Sequence, residues 1–192
     1  MENKKKSANM VLAGLKFSPS EIGEVAENEK NTIPAVLLIS FSVLLGVVIA
    51  FFKGNGGSSG LGRMGITGSN AAIAQMGSLL IGTFLSAFVL VYVIRIFKVR
   101  PSFAGIIRVY GSAIIWTILK SIIVFIIPFF LPPKFAMIGV VFWFTFNFSV
   151  LFGLAGYTKI KIWQSFLSIV ITFAIIFGLM VPYGMLIKAL FV

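Results

Sequence analysis

Lys120 is the side chain in this sequence whose type and position most suggest a chemical role. It lies near the middle of a long apolar segment, where a lysine costs about 2.5–3.5 kcal/mol to insert into a bilayer. No acidic side chain follows Lys30, so the sequence supplies no carboxylate partner within the apolar region. A protonated Lys120 would form a positive site able to hold a lipid phosphate or another anion. The alternative is that its amine reaches toward an interface or loses its proton on burial.

Three residues precede Lys120 at intervals of four: Arg108, Ser112 and Trp116. Side chains four apart lie on neighbouring turns of the same helical face. Ser112 and Trp116 therefore join Lys120 in the candidate intramembrane site.

The next apolar segment carries Thr145 and Asn147 near its middle, at a predicted depth similar to that of Lys120. We expect Lys120 to hydrogen-bond to Asn147 or to backbone carbonyls inside the bundle. Thr145 and Asn147 complete the candidate site.

The chain lacks the residue types on which most catalytic and metal sites depend. It contains no Cys and no His, and its five acidic residues are all glutamates at or before Glu29. Acid–base pairs, metal clusters and catalytic triads each need at least one of these groups. We therefore predict that the protein is not an enzyme and has no catalytic residues, no cofactor and no metal site. Transport coupled to intramembrane carboxylates is also disfavoured.

The composition is that of a membrane protein. The 192 residues are 59% hydrophobic and 11% charged, with a mean hydropathy of +1.07. A chain of this length cannot bury so much apolar surface in water, and in lipid the spanning segments must be helices or a closed barrel. The apolar runs are continuous rather than alternating, which indicates helices. The predicted fold is all-α, a polytopic membrane helix bundle with transmembrane spans at about 32–52, 71–94, 109–131, 135–157 and 162–187.

Residues 1–30 form a predicted polar head ahead of a membrane domain at 31–192. Ser18, Pro19 and Glu21 are typical of a helix start, with a capping hydroxyl, a proline in the first turn and an acid near the positive helix end. A short amphipathic helix is expected from there to about residue 30. This helix is either solvated beside the membrane, or an interfacial or partner-docking segment.

The second span carries small residues four apart on one helical ridge. Such a ridge lets another helix approach closely, so it is predicted to pack against a helix of the same chain or of a dimer. The ridge consists of Ala74, Ser78, Gly82 and Ser86.

Basic side chains are distributed unevenly between the two ends of the predicted bundle. The head has five, the second connection four and the fourth connection two, eleven in all, against four at the opposite end. This asymmetry predicts an integral, multi-pass membrane protein with its N-terminus in the cytoplasm and its C-terminus outside it. The cytoplasmic face would attract anionic headgroups at about 1 kcal/mol per close charge. Its residues are Arg95, Lys98, Arg100, Arg108, Lys159 and Lys161.

Three segments carry a family resemblance: Phe17–Ile22 before the first span, Phe103–Ser112 where the third begins, and Gly156–Lys161 between the last two. With this layout the chain resembles the Yip family of five-span membrane proteins, named for interaction with Ypt/Rab GTPases. The resemblance covers about 17–188 and implies a cytoplasmic head with a proline-containing helix start. The chain has no Asp-Leu-Tyr-Gly-Pro segment, which eukaryotic members often carry. Its composition, rich in Ile, Phe and Lys, suits a bacterial or archaeal member.

Two hypotheses for function follow. The first is a non-enzymatic Yip-like protein that organises membranes or partner proteins. The second is a transporter of lipid or small anions, or the membrane subunit of one, that uses Lys120 in the bundle interior. Expected partners are membrane lipids, including anionic ones, and either a second copy of the chain or another membrane protein. Nucleic acid is not expected, because the basic residues lie between apolar runs.

Overall fold

The computed structural model describes residues 9–53, 68–126 and 137–191, and all regular structure in these ranges is helical. This confirms the predicted all-α class. One-turn 3₁₀ segments precede the third α-helix and follow the fourth. The α-helices of the described ranges are α1 Met10–Lys16, α2 Pro19–Glu27, α3 Thr32–Lys53, α4 Gly68–Ile94, α5 Phe103–Ile126, α6 Met137–Thr158 and α7 Ile162–Phe191.

The five helices α3 to α7 are long and apolar enough to cross a bilayer, as predicted. The chain is an integral multi-pass membrane protein. The start of α5 differs from the expected span, because the helix begins at Phe103 rather than near Val109. Ser102 caps it, accepting a 3.0 Å hydrogen bond from the Gly105 N–H. The six residues from Phe103 to Arg108, which lie before the expected span, are therefore part of the membrane helix itself.

The central helix of the bundle is α5. In its apolar segment 56% of the residues are buried, compared with 17–33% in the corresponding segments of the other four membrane helices. It packs against α3, α4 and α6 and also against α1 and α2. Its environment is therefore mostly protein, whereas the other four present much of their apolar surface to lipid.

The two helices of the head, α1 and α2, form a short hairpin (Met10–Glu27), here called the head hairpin. The Asn9 side chain accepts from the Val11 N–H at 3.0 Å and caps α1. The chain then turns through Phe17 in the left-handed region, with φ 53°. Ser18 caps α2 as predicted, accepting from the Glu21 N–H at 3.4 Å.

The apolar face of α2 is buried against α5 and α6. Ile22, Val25 and Ala26 on that face are each at most 1% exposed. The apolar face of α2 is therefore covered by this protein's own membrane helices. It is exposed neither to water nor to lipid, and it is not available to a separate partner. The structure also contains α1, which had no counterpart among the helices expected from the sequence.

Glycines allow the head hairpin to approach the membrane helices at backbone distance. A Cβ added at Gly14 would overlap the carbonyl of Ser112 in α5, and one added at Gly156 in α6 would overlap the carbonyl of Pro19. Neither carbonyl can yield without moving a helix. Side chains larger than hydrogen at these two positions would push the hairpin off the bundle.

Contacts between the connections place the head hairpin and two of the connections at the same end of the bundle. Glu27 at the end of α2 forms a 3.3 Å ion pair with Lys159. The Tyr157 hydroxyl is 3.1 Å from the Ser102 hydroxyl before α5. Trp163 at the start of α7 meets Phe97 edge-on, with ring centroids 6.1 Å apart.

Candidate functional site

All five membrane helices line a cavity of about 470 Å³. Most of its wall is aliphatic or aromatic, which matches the general character of ligand pockets: apolar, with a few polar groups that fix orientation. Lys120 is the one basic residue among the described residues of the lining. The polar lining residues are Ser42, Thr83, Ser86, Tyr110, Thr117, Lys120, Asn147 and Thr172.

Lys120 and Asn147 both line this cavity, one from α5 and the other from α6. The structure records no hydrogen bond between these two side chains. Asn147 instead donates from Nδ2 to the carbonyl of Trp143, one turn earlier in α6, at 2.7 Å. The rest of the amide, an oxygen and a second N–H, remains for another partner.

Ser112 and Trp116 lie on a different side of α5, facing the head hairpin. Trp116 donates from Nε1 to the carbonyl of Gly14 at 3.0 Å, and its ring stacks on Phe17 with centroids 5.1 Å apart. Ser112 donates to the carbonyl of Arg108 in its own helix at 3.2 Å. Neither residue lines the cavity.

The separation of these residues follows from helix geometry. At 3.6 residues per turn, each step of four residues rotates about 40° around the axis, so the three steps from Arg108 to Lys120 rotate about 120°. A row of this length winds from the hairpin side of α5 to the cavity side. Tyr110, Ile114, Thr117 and Lys120, at spacings of three and four, form the true cavity stripe.

Thr145 lies on the outer surface of α6, away from the cavity. Its hydroxyl donates to the Val141 carbonyl at 2.6 Å. It lines a shallow aromatic groove beside Phe17. Side chains two residues apart on a helix point about 160° apart, so Thr145 and Asn147 cannot serve one site.

Aromatic residues line the cavity at the seam between α6 and α7. Trp143, Phe173 and Phe177 line it and are nevertheless 47%, 45% and 74% exposed. The rings of Trp143 and Phe173 are in contact, with centroids 5.8 Å apart. The cavity therefore reaches the lateral surface of the bundle at this seam.

Thr172 is a cavity residue that the sequence reasoning missed. Its hydroxyl oxygen is buried and has no hydrogen-bond partner among the described residues. It belongs to a face of α7 with Ser165 and Ser168, at spacings of three and four, and all three side chains are buried. In the sequence, the pattern that could have indicated Thr172 is the set of small polar residues at that spacing within an apolar span.

The small-residue ridge predicted on α4 reaches the cavity at two positions. Gly82 and Ser86 line it, and Ser86 donates to the Thr83 carbonyl at 2.9 Å. A Cβ added at Gly82 would meet nothing within 4 Å, so no other helix approaches closely there. The side chains of Ala74 and Ser78 lie outside the described part of the structure.

The basic face is exposed at five of its six predicted positions. The exception is Arg108, which is 5% exposed. It donates from Nε to the Ala26 carbonyl at 2.6 Å and from Nη1 to the Thr32 hydroxyl at 2.7 Å. The exposed residues are Arg95, Lys98, Arg100, Lys159 and Lys161.

Within the described ranges, no group of three or more His, Cys, Asp or Glu side chains lies close enough to hold a metal ion. The cavity lining itself offers an amine, a phenol, hydroxyls and an amide. These groups can bind an anion or a polar headgroup by hydrogen bonds and charge.

Comparison with known proteins identifies the family. Neither the curated proteins nor the solved structures gave a match. The family model described as the Yip1 domain matches residues 13–182, which include most of the head hairpin and the described parts of α3, α4, α5 and α6. This match confirms the resemblance found in the sequence. The chain belongs to the Yip1 domain family of membrane proteins.

Proposed function

We propose that this protein is a non-enzymatic membrane protein that organises its membrane by holding a lipid or lipid-like molecule between its five membrane helices. The observation that carries the proposal is the cavity of about 470 Å³ with Lys120 in its wall. Its size falls within the range of small-molecule sites, roughly 300–1,000 Å³. A void of this size left empty would cost its lining many dispersion contacts.

Binding rather than turnover suits the residues of the cavity. General acid–base and nucleophilic catalysis most often use a carboxylate, imidazole or thiol, and less often a lysine amine or a tyrosine phenol. The described lining residues include no Asp, Glu, His or Cys. Lys120 and Tyr110 remain, and the described wall offers neither of them a carboxylate or imidazole partner.

The exposed basic residues add a second contact with the membrane. Arg95, Lys98 and Arg100 lie in one connection, and Lys159 and Lys161 in another. We assign this end to the cytoplasm, where anionic lipids attract basic side chains at about 1 kcal/mol each. Together the two features suit a protein that gathers anionic lipids around and within its bundle.

Filling the cavity tests the proposal. Gly82 lines the cavity and Gly178 does not, and an added Cβ meets nothing within 4 Å at either. Gly82→Phe should put an aromatic ring into the cavity and obstruct the binding of a ligand there, while Gly178→Phe is the matched control. Native mass spectrometry of protein released gently from its membranes should show a bound lipid in the wild type and in Gly178→Phe, and its loss in Gly82→Phe. An unchanged lipid complement in Gly82→Phe would overturn the proposal.

Transport of a lipid or small anion is the second candidate, because Lys120 places a basic side chain in the wall of a cavity lined by all five membrane helices. Flux measured in liposomes containing the purified protein tests it. The transport hypothesis expects Lys120→Met to abolish flux. Full flux in that variant would remove the case for transport through this residue.

A further inference from the structure

We infer that the cavity takes a single-chain anionic amphiphile, or one chain of an anionic phospholipid, which enters sideways from the bilayer and places its charged group at Lys120. The inference rests on the proposed function, because it names the ligand class of the same cavity. Three observations carry it: the charge of the wall, the place where the cavity reaches the surface, and its volume.

The basic side chain in the cavity wall favours an anionic ligand. Lys120 is the one basic residue among the described lining residues, and no acidic side chain follows Lys30 in the chain. A protonated lysine in an apolar wall is stabilised by an opposite charge within a few ångströms. The described parts of the membrane helices supply none, and an anionic molecule bound in the cavity would supply it.

Two neutral groups of the wall can add hydrogen bonds to the same ligand. The Thr172 hydroxyl is buried and lacks a partner among the described residues, and a group left in that state is destabilising. The Asn147 amide uses one N–H on the Trp143 carbonyl and keeps the other. A carboxylate or phosphate accepts from a hydroxyl, an amide and an ammonium group alike.

The place where the cavity opens to the surface favours a ligand that is mostly apolar. Trp143, Phe173 and Phe177 flank it, at the seam of α6 and α7. This is the lateral face of two apolar membrane helices, so it opens toward lipid chains. An aromatic portal admits an acyl chain, whereas a free hydrated ion would have to shed its water there.

The volume sets the size of the chain. A cavity of about 470 Å³ lies in the lower half of the range of small-molecule sites, roughly 300–1,000 Å³. This size suits one acyl chain with a small head, and a second chain would remain in the bilayer.

The test uses fluorescence quenching of Trp143 by brominated lipids. The chain has three tryptophans, so Trp116→Phe with Trp163→Phe leaves Trp143 as the reporter in the cavity wall. Dibromostearic acid is the anionic probe, and dibromostearyl alcohol, with the same chain and no charge, is its neutral match. In uncharged detergent the acid should bind about tenfold more tightly than the alcohol.

Substitution of the lysine should remove this preference. Lys120→Met should bind acid and alcohol equally, whereas the exposed control Lys161→Met should keep the preference. Equal binding of the two probes by the wild-type protein, or a preference retained in Lys120→Met, would overturn the inference. Displacement of the acid by inorganic phosphate alone would do so too, because the site would then take a free anion.

A third probe separates the two sources of the chain. Quenching by brominated phosphatidylglycerol as well as by the acid identifies a bilayer phospholipid, and quenching by the acid alone identifies a free single-chain lipid. Either result supports the inference. If Gly82→Phe loses bound lipid but the charge preference is absent, the proposed function stands and this inference fails. If Gly82→Phe changes nothing, both fail.

Discussion

Arg108 donates from Nε to the carbonyl of Ala26 at 2.6 Å, joining the central membrane helix to the last turn of α2. The last carbonyls of a helix have no partners within it and carry a partial negative charge. The last turn of α1 is bonded in the same way: the side chains of Trp116 and Ser149 both donate a hydrogen bond to the Gly14 carbonyl. Side-chain donors from the membrane helices thus satisfy end carbonyls in both helices of the head hairpin.

Replacing Arg108 should release the end of α2. Arg108→Met leaves the Ala26 carbonyl buried without this donor, at a cost of about 1–3 kcal/mol. Hydrogen exchange measured by mass spectrometry should then be faster in the head hairpin. Arg100→Met, at an exposed position, is the control and should leave exchange unchanged. Equal protection in Arg108→Met and the wild type would show that this bond does not hold the hairpin.

Two glycine-to-alanine substitutions should differ in their effect on stability. In Gly156→Ala the new methyl group overlaps the Pro19 carbonyl, and overpacking of this kind costs about 1–3 kcal/mol. In Gly82→Ala the methyl group enters open space and the helix gains up to about 1 kcal/mol in propensity. Thermal unfolding in detergent should show a lower Tm for the first and an unchanged or higher Tm for the second. A tolerated Gly156→Ala would contradict the close approach of α2 and α6.

Trp116 and Ser149 should contribute to stability in a strongly non-additive way. Trp116→Phe keeps an aromatic ring against Phe17 but removes the 3.0 Å hydrogen bond to the Gly14 carbonyl. Ser149→Ala removes the 3.3 Å bond to the same oxygen. Each single substitution should cost about 1 kcal/mol, and the double should cost more than their sum, because only then is the carbonyl unpaired.

A double-mutant cycle in denaturant or heat checks this expectation. Trp163→Phe serves as the control for the loss of an indole, because Trp163 is exposed at the start of α7. Simple additivity of Trp116→Phe and Ser149→Ala would mean that water or lipid already satisfies the Gly14 carbonyl.

The orientation of the chain can be tested by chemical labelling, because the native sequence contains no cysteine. We expect Lys161→Cys, at an exposed position between α6 and α7, to react with a membrane-impermeant maleimide only after the cells are opened. Ser58→Cys, in the sequence-predicted connection on the opposite side, should react in intact cells. The reverse pattern would invert the assignment of the basic end to the cytoplasm.

Helix starts and membrane spans were predictable from local sequence. Ser18 and Pro19 begin α2 where the capping pattern indicates, and long apolar runs produce the five membrane helices. Both features depend on residues close together in the chain. The cap needs only neighbouring N–H groups, and the span needs only enough apolar residues to match the bilayer.

The sequence groups Lys120 and Asn147 in one candidate site, and both line one cavity. It groups Trp116 and Thr145 with them, but these two side chains face other parts of the structure. Position along a helix axis follows from counting residues, whereas the direction of a side chain depends on which neighbours surround the helix. A four-residue row drifts about 40° at each step, so it cannot fix that direction.

The role of Arg108 shows the same division between sequence and tertiary structure. By itself the sequence determined that this chain is a bundle of apolar membrane helices with basic connections, and that Lys120 lies near the middle of an apolar run. Composition and local pattern suffice for those properties. Only the tertiary structure decided that Arg108 is buried against the head hairpin, that α5 is the central helix, and that Lys120 faces a cavity. Each of these depends on contacts between segments far apart in the chain, which glycines such as Gly14 and Gly156 permit.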